Sequence, residues 1–289
     1  MRRKTILWLL IPLWSAVAWS APPQRIISVS PNLTEILYGL GVFDRVVAVS
    51  DYCTYPAAAL SLPHIGGWSS PNLERIVSLH PDLVVMADAQ APLLAYNLQQ
   101  LHIPALVTPS QTVDDVFSAI RDVGAAVGKE REAAALAAET RATLERVRKR
   151  MKGVTRPTVL LAVDRSPGSL RDLYVMTDGS YLADLVEIAG GHVIVPRAQT
   201  GYSKISKETL VALNADVVFE LRPGTLANDA DRARLEWQEL PELAAVRNGK
   251  VYELKEDYIS HNSQFVAQTV MLFAHILHPE IPAAQLVGP

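Results

Sequence analysis

Cysteine is almost absent from this 289-residue chain, in which Cys53 is the only one. Since no internal disulfide can form, a packed hydrophobic core must hold the fold together. Long hydrophobic runs are also lacking: after residue 20, no stretch approaches the roughly 20 apolar residues of a transmembrane helix. Basic residues are not in excess, because the formal net charge is -3 and charges of both signs are interspersed. The composition therefore excludes a disulfide scaffold and argues against nucleic acid as a partner.

Enzyme signatures are missing as well. The chain has no Gly-x-Ser-x-Gly elbow, no Gly-x-x-x-x-Gly-Lys-Ser/Thr phosphate loop and no His-Glu-x-x-His helix. Its seven histidines are scattered, which argues against a zinc or manganese receptor, since such a site needs clustered histidines and carboxylates. Two interpretations of Cys53 stay open: the nucleophile of a secreted two-lobe α/β enzyme, or a packed and unreactive thiol. We favour the packed thiol and predict a protein that is not an enzyme.

The first 20 residues have the pattern of a secretory signal peptide. Basic residues at Arg2, Arg3 and Lys4 precede an apolar run that ends at Val17, and small residues follow up to Ser20. This pattern predicts export to the periplasm with cleavage near Ser20. No cysteine stands at the cleavage site, so we expect no lipid anchor there.

Strand-like and helical patterns alternate along the rest of the chain. In residues 21–112, "RIISVS", "RVVAVS" and "DLVVMA" read as strands separated by helical segments, which predicts a mostly parallel sheet covered by helices. Residues 113–153 are rich in Ala, Glu, Arg and Leu, and the part from about Lys129 predicts one helix roughly 30 Å long. Strand-like texture resumes in residues 154–289, so we expect this helix to cross from one lobe to a second.

One motif occurs in both halves. A shift of 134 positions relates "SSPNLERIVSLHPDLVV" to "KISKETLVALNADVVFE" and places Glu74 on Glu208 and Asp82 on Asp216. A second pair, "LTEILYGLG" and "LADLVEIAG", occurs in the same order in each half. The repeats predict two lobes built on the same βα plan and joined by the long helix.

Aromatic and polar side chains occur in loops at the carboxyl ends of predicted strands, where open α/β sheets bind ligands. The loop "DYCTYP" contributes Tyr52, while Trp68 and Tyr202 stand just before the two copies of the repeated motif. The segment "KEDYISHNS" adds Asp257, Tyr258 and His261. Each aromatic residue alone is typical of a half-buried loop. The corresponding positions of Trp68 and Tyr202 favour instead opposite walls of one ligand cleft.

The segments "RIISVSPNLTEILYGLG", "DYCTYP", "LPHIGGW", "PNLERIVSLHPDLVV" and "GSYLADLVEIAGG" together resemble the periplasmic substrate-binding proteins of ABC importers for cobalamin, iron-siderophores and heme. Within that group they are most similar to the cobalamin-binding members, and the resemblance runs over nearly the whole mature chain. It implies two Rossmann-like lobes bridged by one long α-helix, the helical-backbone periplasmic-binding-protein fold. It also implies a hinge that opens little and a ligand held between the lobes.

The resemblance implies roles for individual residues. Tyr52 and Trp68 match first-lobe residues that contact the corrin, and Tyr202 falls where such proteins can have a tryptophan. Asp257 and Tyr258 match a second-lobe loop at the cleft. The expected ligand is cobalamin or a related corrinoid, with no intrinsic cofactor. Heme or an iron-siderophore is the alternative, and Tyr52 or His261 would then be the candidate ligand of a heme iron.

Glu74 and Glu208 match the family's two acidic knobs, which dock onto arginines of the two permease subunits. The resemblance therefore implies a monomeric protein whose partner is the ABC permease dimer of the inner membrane. A simpler interpretation is also open: with Asn72 and Ser206 as N-caps, a first-turn glutamate gains roughly 0.3 to 1 kcal/mol from the helix dipole without any partner. The two interpretations are compatible.

Overall fold

The structure is a computed structural model that describes residues 21–196, 198, 201–222 and 235–287. The predicted signal peptide, residues 1–20, lies outside the described residues. Two sheets with helices packed on them form the molecule. Among the described residues, no helix combines the length and the apolar character that a membrane span requires.

The first sheet is entirely parallel, as the alternation of strands and helices predicts. Its strands lie in the order β2-β1-β5-β6, with β1 Ile26–Ser28, β2 Val46–Val49, β5 Leu83–Ala87 and β6 Ala105–Thr108. Every residue of β5 is buried, which is typical of a parallel strand covered on both faces. The covering helices are α1 Pro31–Gly39, α2 Leu73–Ser78 and α3 Ala91–Gln100. A short antiparallel pair, β3 Gly66–Gly67 and β4 Ser70–Pro71, stands between β2 and α2.

Two long helices follow the first sheet, α4 Val113–Val127 and α5 Glu130–Arg150. Thr112 and Asp115 form a capping box at the start of α4, and Gly128 ends it in the left-handed conformation. The prediction of a long helix from about Lys129 is confirmed, because α5 has 21 residues and Lys129 as its N-cap. Near its start α5 contacts Gly39 of the first half through Leu136, and at its end Met151 lies against Gly190 of the second half.

The second sheet is mixed, which differs from the expectation of one shared plan. Its strands are β7 Thr158–Asp164, β8 Leu173–Met176, β9 His192–Val193, β10 Tyr202–Ile205, β11 Val217–Leu221 and β12 Val251–Leu254. The order is β10-β8-β7-β11-β12, with β9 paired to the start of β7, and β8 and β10 run antiparallel to their neighbours.

The sequences "RSPGSLRDLYVMTDG" and "PRAQTGYSK" are typical of loops, but the structure places β8 in the first and most of β10 in the second, so the prediction of loops is wrong there. Only Leu173 and Val175 of β8 are buried, since Tyr174 and Met176 face the other side. The apolar run of β8 has only four residues and lies between turn residues, so it is too short for periodicity to distinguish it from a loop.

The helices of the second half are α6 Tyr181–Ile188, α7 Lys207–Leu213, α8 Ala244–Arg247, α9 Val266–Leu277 and α10 Ala283–Val287. One hydrophobic cluster extends through both halves, because it joins residues of α1, α4 and α5 with residues of α6 and α9. Two smaller clusters cover the opposite faces of the two sheets. The halves therefore share a continuous core on one face of the sheets, and each half has a cluster of its own on the other face.

Candidate functional site

Tyr52 and Trp68 lie together at the carboxyl end of β2. The backbone of Ile65 and Gly66 pairs with β2 and the loop after it, through hydrogen bonds from Ile65 N to the Val49 carbonyl (2.9 Å) and from Asp51 N to the Gly66 carbonyl (3.0 Å). The Tyr52 ring lies against Gly67, since its Cε2 atom would be 3.5 Å from a Cβ atom built there. Tyr52 is 59% exposed and Trp68 39%. The structure thus places the exposed Tyr52 ring beside the turn that carries the exposed Trp68, and this surface is here named the first wall.

Gly66 makes this wall possible. Its φ is +97°, in the region that favours glycine, and a Cβ atom there would come within 2.6 Å of the Ser70 carbonyl oxygen. The tight β3–β4 turn that carries Trp68 therefore requires glycine at this position.

Tyr202 begins the edge strand β10 of the second sheet and is 48% exposed. Its ring is 6.2 Å from the ring of Tyr174 in β8, in an edge-on arrangement. The antiparallel pairing of Tyr202 with Met176 places Tyr174 diagonally across on the same face. Sequence reasoning missed Tyr174, because the strand that carries it was read as a loop.

Asp257 and Tyr258 lie beside the loop that carries Tyr52. The Thr54 hydroxyl donates a hydrogen bond to Asp257 Oδ2 at 3.0 Å, which joins the first half to the second. Phe265 is 5.1 Å from Tyr55 in an edge-on contact and 6.0 Å from Tyr258, measured between ring centres. Burial is the main cause that raises the pKa of Tyr258 above its ordinary value, and the Glu256 carboxylate adds to it. Tyr258 therefore stays a neutral hydroxyl at neutral pH.

His261 is bonded to a buried carboxylate of the first half. Its Nδ1 atom is 2.6 Å from Glu35 Oε1, and the Ser263 hydroxyl donates to Glu35 Oε2. The side chains of His261 and Glu35 are only 14% and 2% exposed. Nδ1 is thus occupied by Glu35, which leaves Nε2 as the ring nitrogen that could contact a ligand.

Glu35 was not identified from the sequence, although a signal exists. It is the only charged residue of α1, and residues Pro31 to Leu37 of that helix are all buried. A single carboxylate in an otherwise uncharged, buried helix indicates a specific partner. The same carboxylate, after burial, is a cause that raises the pKa of Tyr181, whose hydroxyl donates to the Ile259 carbonyl at 3.0 Å.

Cys53 is a packed thiol, as the simpler interpretation predicts. It is 1% exposed, and its Sγ atom is 3.2 Å from Thr34 Oγ1 and 3.3 Å from Ser50 Oγ. Burial raises the pKa of the Cys53 thiol above its ordinary value, so the reactive thiolate is disfavoured. The structure gives Cys53 a place in the core and not in a nucleophilic site.

Glu74 and Glu208 occupy the same position in their helices. Each is the second residue, of α2 and of α7, and each is exposed. The two predicted N-caps are confirmed, because Asn72 accepts from Arg75 N at 2.9 Å and Ser206 accepts from Thr209 N at 3.2 Å. A hydrogen bond from Ser206 is the main cause that lowers the pKa of Glu208.

A groove of about 550 Å³ lies apart from these residues, between the start of α4, the end of α5 and α6. Its wall includes Asp114, Arg148, Arg156, Asp184 and Glu187 and has no aromatic residue. Arg156 already donates to Glu187. In the part of the chain that the structure describes, no three His, Cys, Asp or Glu side chains gather as a metal site would require. The exposed rings of Tyr52, Trp68 and Tyr202 are therefore the better candidates for contact with a large flat ligand.

Known proteins resemble this chain over most of its length. The profile of the periplasmic binding protein family matches residues 26–258. A vitamin B12-binding protein of Vibrio campbellii is 27% identical over 242 residues, which cover 83% of this chain and 84% of that protein.

Two solved structures have the same fold. The periplasmic vitamin B12 binding protein of Vibrio cholerae superposes with a TM-score of 0.77 at 24% identity, over 89% of this chain and 98% of that one. A periplasmic heme binding protein from Pseudomonas aeruginosa superposes with a TM-score of 0.79 at 22% identity, over 90% and 94%. These relatives are named for binding vitamin B12 or heme. The chain is thus a binding protein, and it belongs to the periplasmic binding protein family.

Proposed function

We propose that this protein captures a corrinoid, cobalamin or a close relative, between its two lobes and delivers it to an ABC permease dimer of the inner membrane. The lobes would comprise residues 21–112 and 154–289, with residues 113–153 between them. We place the protein in the periplasm as a monomer, exported by a signal peptide that is cleaved near Ser20.

The observation that carries the proposal is the pair of exposed rings, Tyr52 and Trp68, on the wall at the end of β2. Their exposed fractions of 59% and 39% leave large aromatic surfaces in water. Covering about 100 Å² of such surface with a ligand is worth about 2.5 kcal/mol. A broad and mostly apolar macrocycle is a ligand of matching shape and chemistry.

Residues of the second half also support a corrinoid as the ligand. Tyr202 and Tyr174 supply two further rings with hydroxyl groups, and Asp257 and Tyr258 add polar atoms beside the Tyr52 loop. A corrinoid carries amide groups around its rim that hydroxyls and carboxylates bind. The similarity to the vitamin B12-binding protein of Vibrio campbellii favours this ligand over others.

Heme is the second candidate, because Tyr52 combines an exposed ring with a phenol oxygen and a phenol can ligate heme iron. The likeness in fold to a periplasmic heme binding protein is compatible with it.

The deciding experiment is a titration of residues 21–289 with cyanocobalamin, dicyanocobinamide, hemin and a ferric siderophore, followed by calorimetry and visible spectra. We expect saturable binding of one corrinoid per protein that changes little with salt, because apolar and stacking contacts are weakly screened. Tight binding of hemin without binding of either corrinoid would overturn the proposal.

A conservative variant separates the two ligands. Tyr52→Phe keeps the ring and removes the oxygen, so corrinoid affinity should stay the same. Were heme the ligand held by Tyr52, the same variant would shift the visible spectrum of the bound iron. Tyr96→Phe is the matched control, since Tyr96 is 71% exposed on α3, outside the proposed cleft.

A further inference from the structure

Residues Asp257 to Phe265, here named the clasp, belong to the second half by connectivity, because they follow β12 directly. Their side chains nevertheless bind the first half. Asp257 accepts from Thr54 at 3.0 Å, Gln264 Nε2 donates to the Glu35 carbonyl at 2.8 Å, and Phe265 contacts Tyr55. The clasp therefore connects the two lobes on a path separate from α5.

Glu35 is the centre of this connection. One carboxylate oxygen is 2.6 Å from His261 Nδ1, and the other accepts from the Ser263 hydroxyl. The carboxylate is only 2% exposed and is therefore not hydrated, so these two bonds must compensate for the free-energy cost of its burial. Among the described residues, no arginine or lysine forms an ion pair with Glu35. The carboxylate thus depends on the clasp for its partners.

Glu35 also lies on a helix that is attached to the central part of the first sheet. It lies in the second turn of α1, which follows β1, an inner strand of the first sheet. Asn262 reinforces the same junction, because its Nδ2 atom donates to the Thr112 carbonyl at 3.2 Å and its carbonyl accepts from Asn32. The bonds from the clasp to Glu35 therefore hold the clasp in a fixed position on the core of the first lobe.

We propose that Glu35 is a positioning residue, which holds the clasp on the first lobe and thereby fixes the spacing of the two ligand-binding walls. The proposal rests on the proposed function in one respect, namely that Asp257 and Tyr258 of the clasp line the cleft. Glu35 itself is buried and touches no ligand. Without the Glu35 carboxylate, the clasp is less ordered in the free protein. Ligand binding must then order the clasp, and the free-energy cost of that ordering lowers the affinity.

The first test needs no ligand. Nitroxide labels at Gln100→Cys and Lys250→Cys, both exposed and one in each half, report the distance between the lobes by pulsed electron resonance. Native Cys53 is buried and does not react. We expect a narrow distance distribution in the parent protein and a broader one after Glu35→Ala. An unchanged distribution would overturn the proposal.

Glu220→Gln is the matched control. Glu220 is an equally buried carboxylate, with a side chain 4% exposed, but its partners Arg165, Arg222 and Trp237 all belong to the second half. We expect Glu220→Gln to lower the thermal midpoint without broadening the distances. If both variants broaden the distances equally, Glu35 has only a general structural role.

The second test measures dissociation of cyanocobalamin by displacement. Losing a charge-assisted bond should speed dissociation about tenfold in Glu35→Ala, while Glu220→Gln leaves the rate unchanged. Glu35→Gln, which preserves shape and can still accept from Ser263, should restore part of the effect. Ser263→Ala should add little to Glu35→Ala, because both remove the same bond.

The two tests separate the two proposals. A protein that binds no corrinoid but shows the broader distances in Glu35→Ala disproves the proposed ligand and supports the role of Glu35. A protein that binds cyanocobalamin with the same dissociation rate in Glu35→Ala and the parent disproves the role of Glu35 and supports the proposed ligand.

Discussion

The two copies of the repeated motif are alike in their helices and differ in what precedes them. Helices α2 and α7 begin with a side-chain N-cap, carry an exposed glutamate at the second position and lead into a buried strand. Before α2, Trp68 stands in the turn between β3 and β4, next to Gly67, which lies against the Tyr52 ring. Before α7, Tyr202 stands on an edge strand beside Tyr174. The shared part is the βα unit, and the walls differ, so a ligand between them meets two unlike surfaces.

The largest effect should come from the shared part. Glu74→Arg and Glu208→Arg should each abolish corrinoid-dependent growth of cells that rely on this protein, because each would place a cation where the proposed docking needs an anion. Ligand affinity should not change, since both side chains are exposed, and the thermal midpoint should fall only slightly, because each variant loses an interaction with the helix dipole worth roughly 0.3 to 1 kcal/mol. Glu139→Arg, another exposed glutamate on α5, is the control. Normal growth of both variants would reject docking and leave helix capping as the role of these residues.

The second largest effect should come from the buried polar residues of the two sheets, whose replacement should lower the unfolding free energy by different amounts. In the second half, Arg165 is 3% exposed and bonds Glu220 at 2.8 Å, whereas in the first half the buried Gln90 bonds the Val29 carbonyl at 3.0 Å. Arg165→Ala should cost about 3–5 kcal/mol of unfolding free energy, because it strands a buried carboxylate. Gln90→Ala should cost about 1–3 kcal/mol, since only neutral groups lose partners. Urea unfolding measures both, and equal losses would contradict this ranking.

The unlike walls should respond unequally to truncation. Trp68→Ala should weaken cyanocobalamin binding by about 2 kcal/mol, or roughly thirtyfold. Tyr202→Ala should weaken it by about 1 kcal/mol, because Tyr174 remains on the same face. Calorimetry checks both values, with Tyr96→Ala as a control for loss of an exposed ring. A larger loss from Tyr202→Ala than from Trp68→Ala would show that the second wall dominates.

The smallest effect should come from the caps and should be the same in both copies. Asn72→Ala and Ser206→Ala should each lower the unfolding free energy by about 1 kcal/mol, because each removes one bond to a helix amide. Replacement by Asp at either position should recover most of the loss. A cost confined to one copy would mean that the helices, too, are held differently.

Local features of the fold were predictable from the sequence, and edge strands were not. Helices α1, α2, α6 and α7 and strands β1, β5 and β11 follow from apolar periodicity over neighbouring residues. Strands β8 and β10 were not predicted, because each is half-exposed and its partner lies elsewhere in the chain. Tyr174 was missed for the same reason, because it lies on β8.

Within the candidate site, residue types were easier to predict than contacts. The exposure of Tyr52 and Trp68 agrees with their choice as loop aromatics, whereas Tyr202 is exposed on strand β10. The role of Glu35 was missed, because a polar residue in a helix normally faces water. Its partner His261 stands 226 residues further along the chain.

The sequence by itself determined the duplicated βα unit, its N-caps, its first-turn glutamates and the long helix that follows the first sheet. These features depend on side chains a few residues apart, which meet whenever the local helix forms. Only the tertiary structure decided the mixed second sheet, the pairing of Tyr202 with Tyr174 and the bonds of the clasp to Glu35. Those contacts join segments remote in sequence, so they exist only where the folded core brings the segments together.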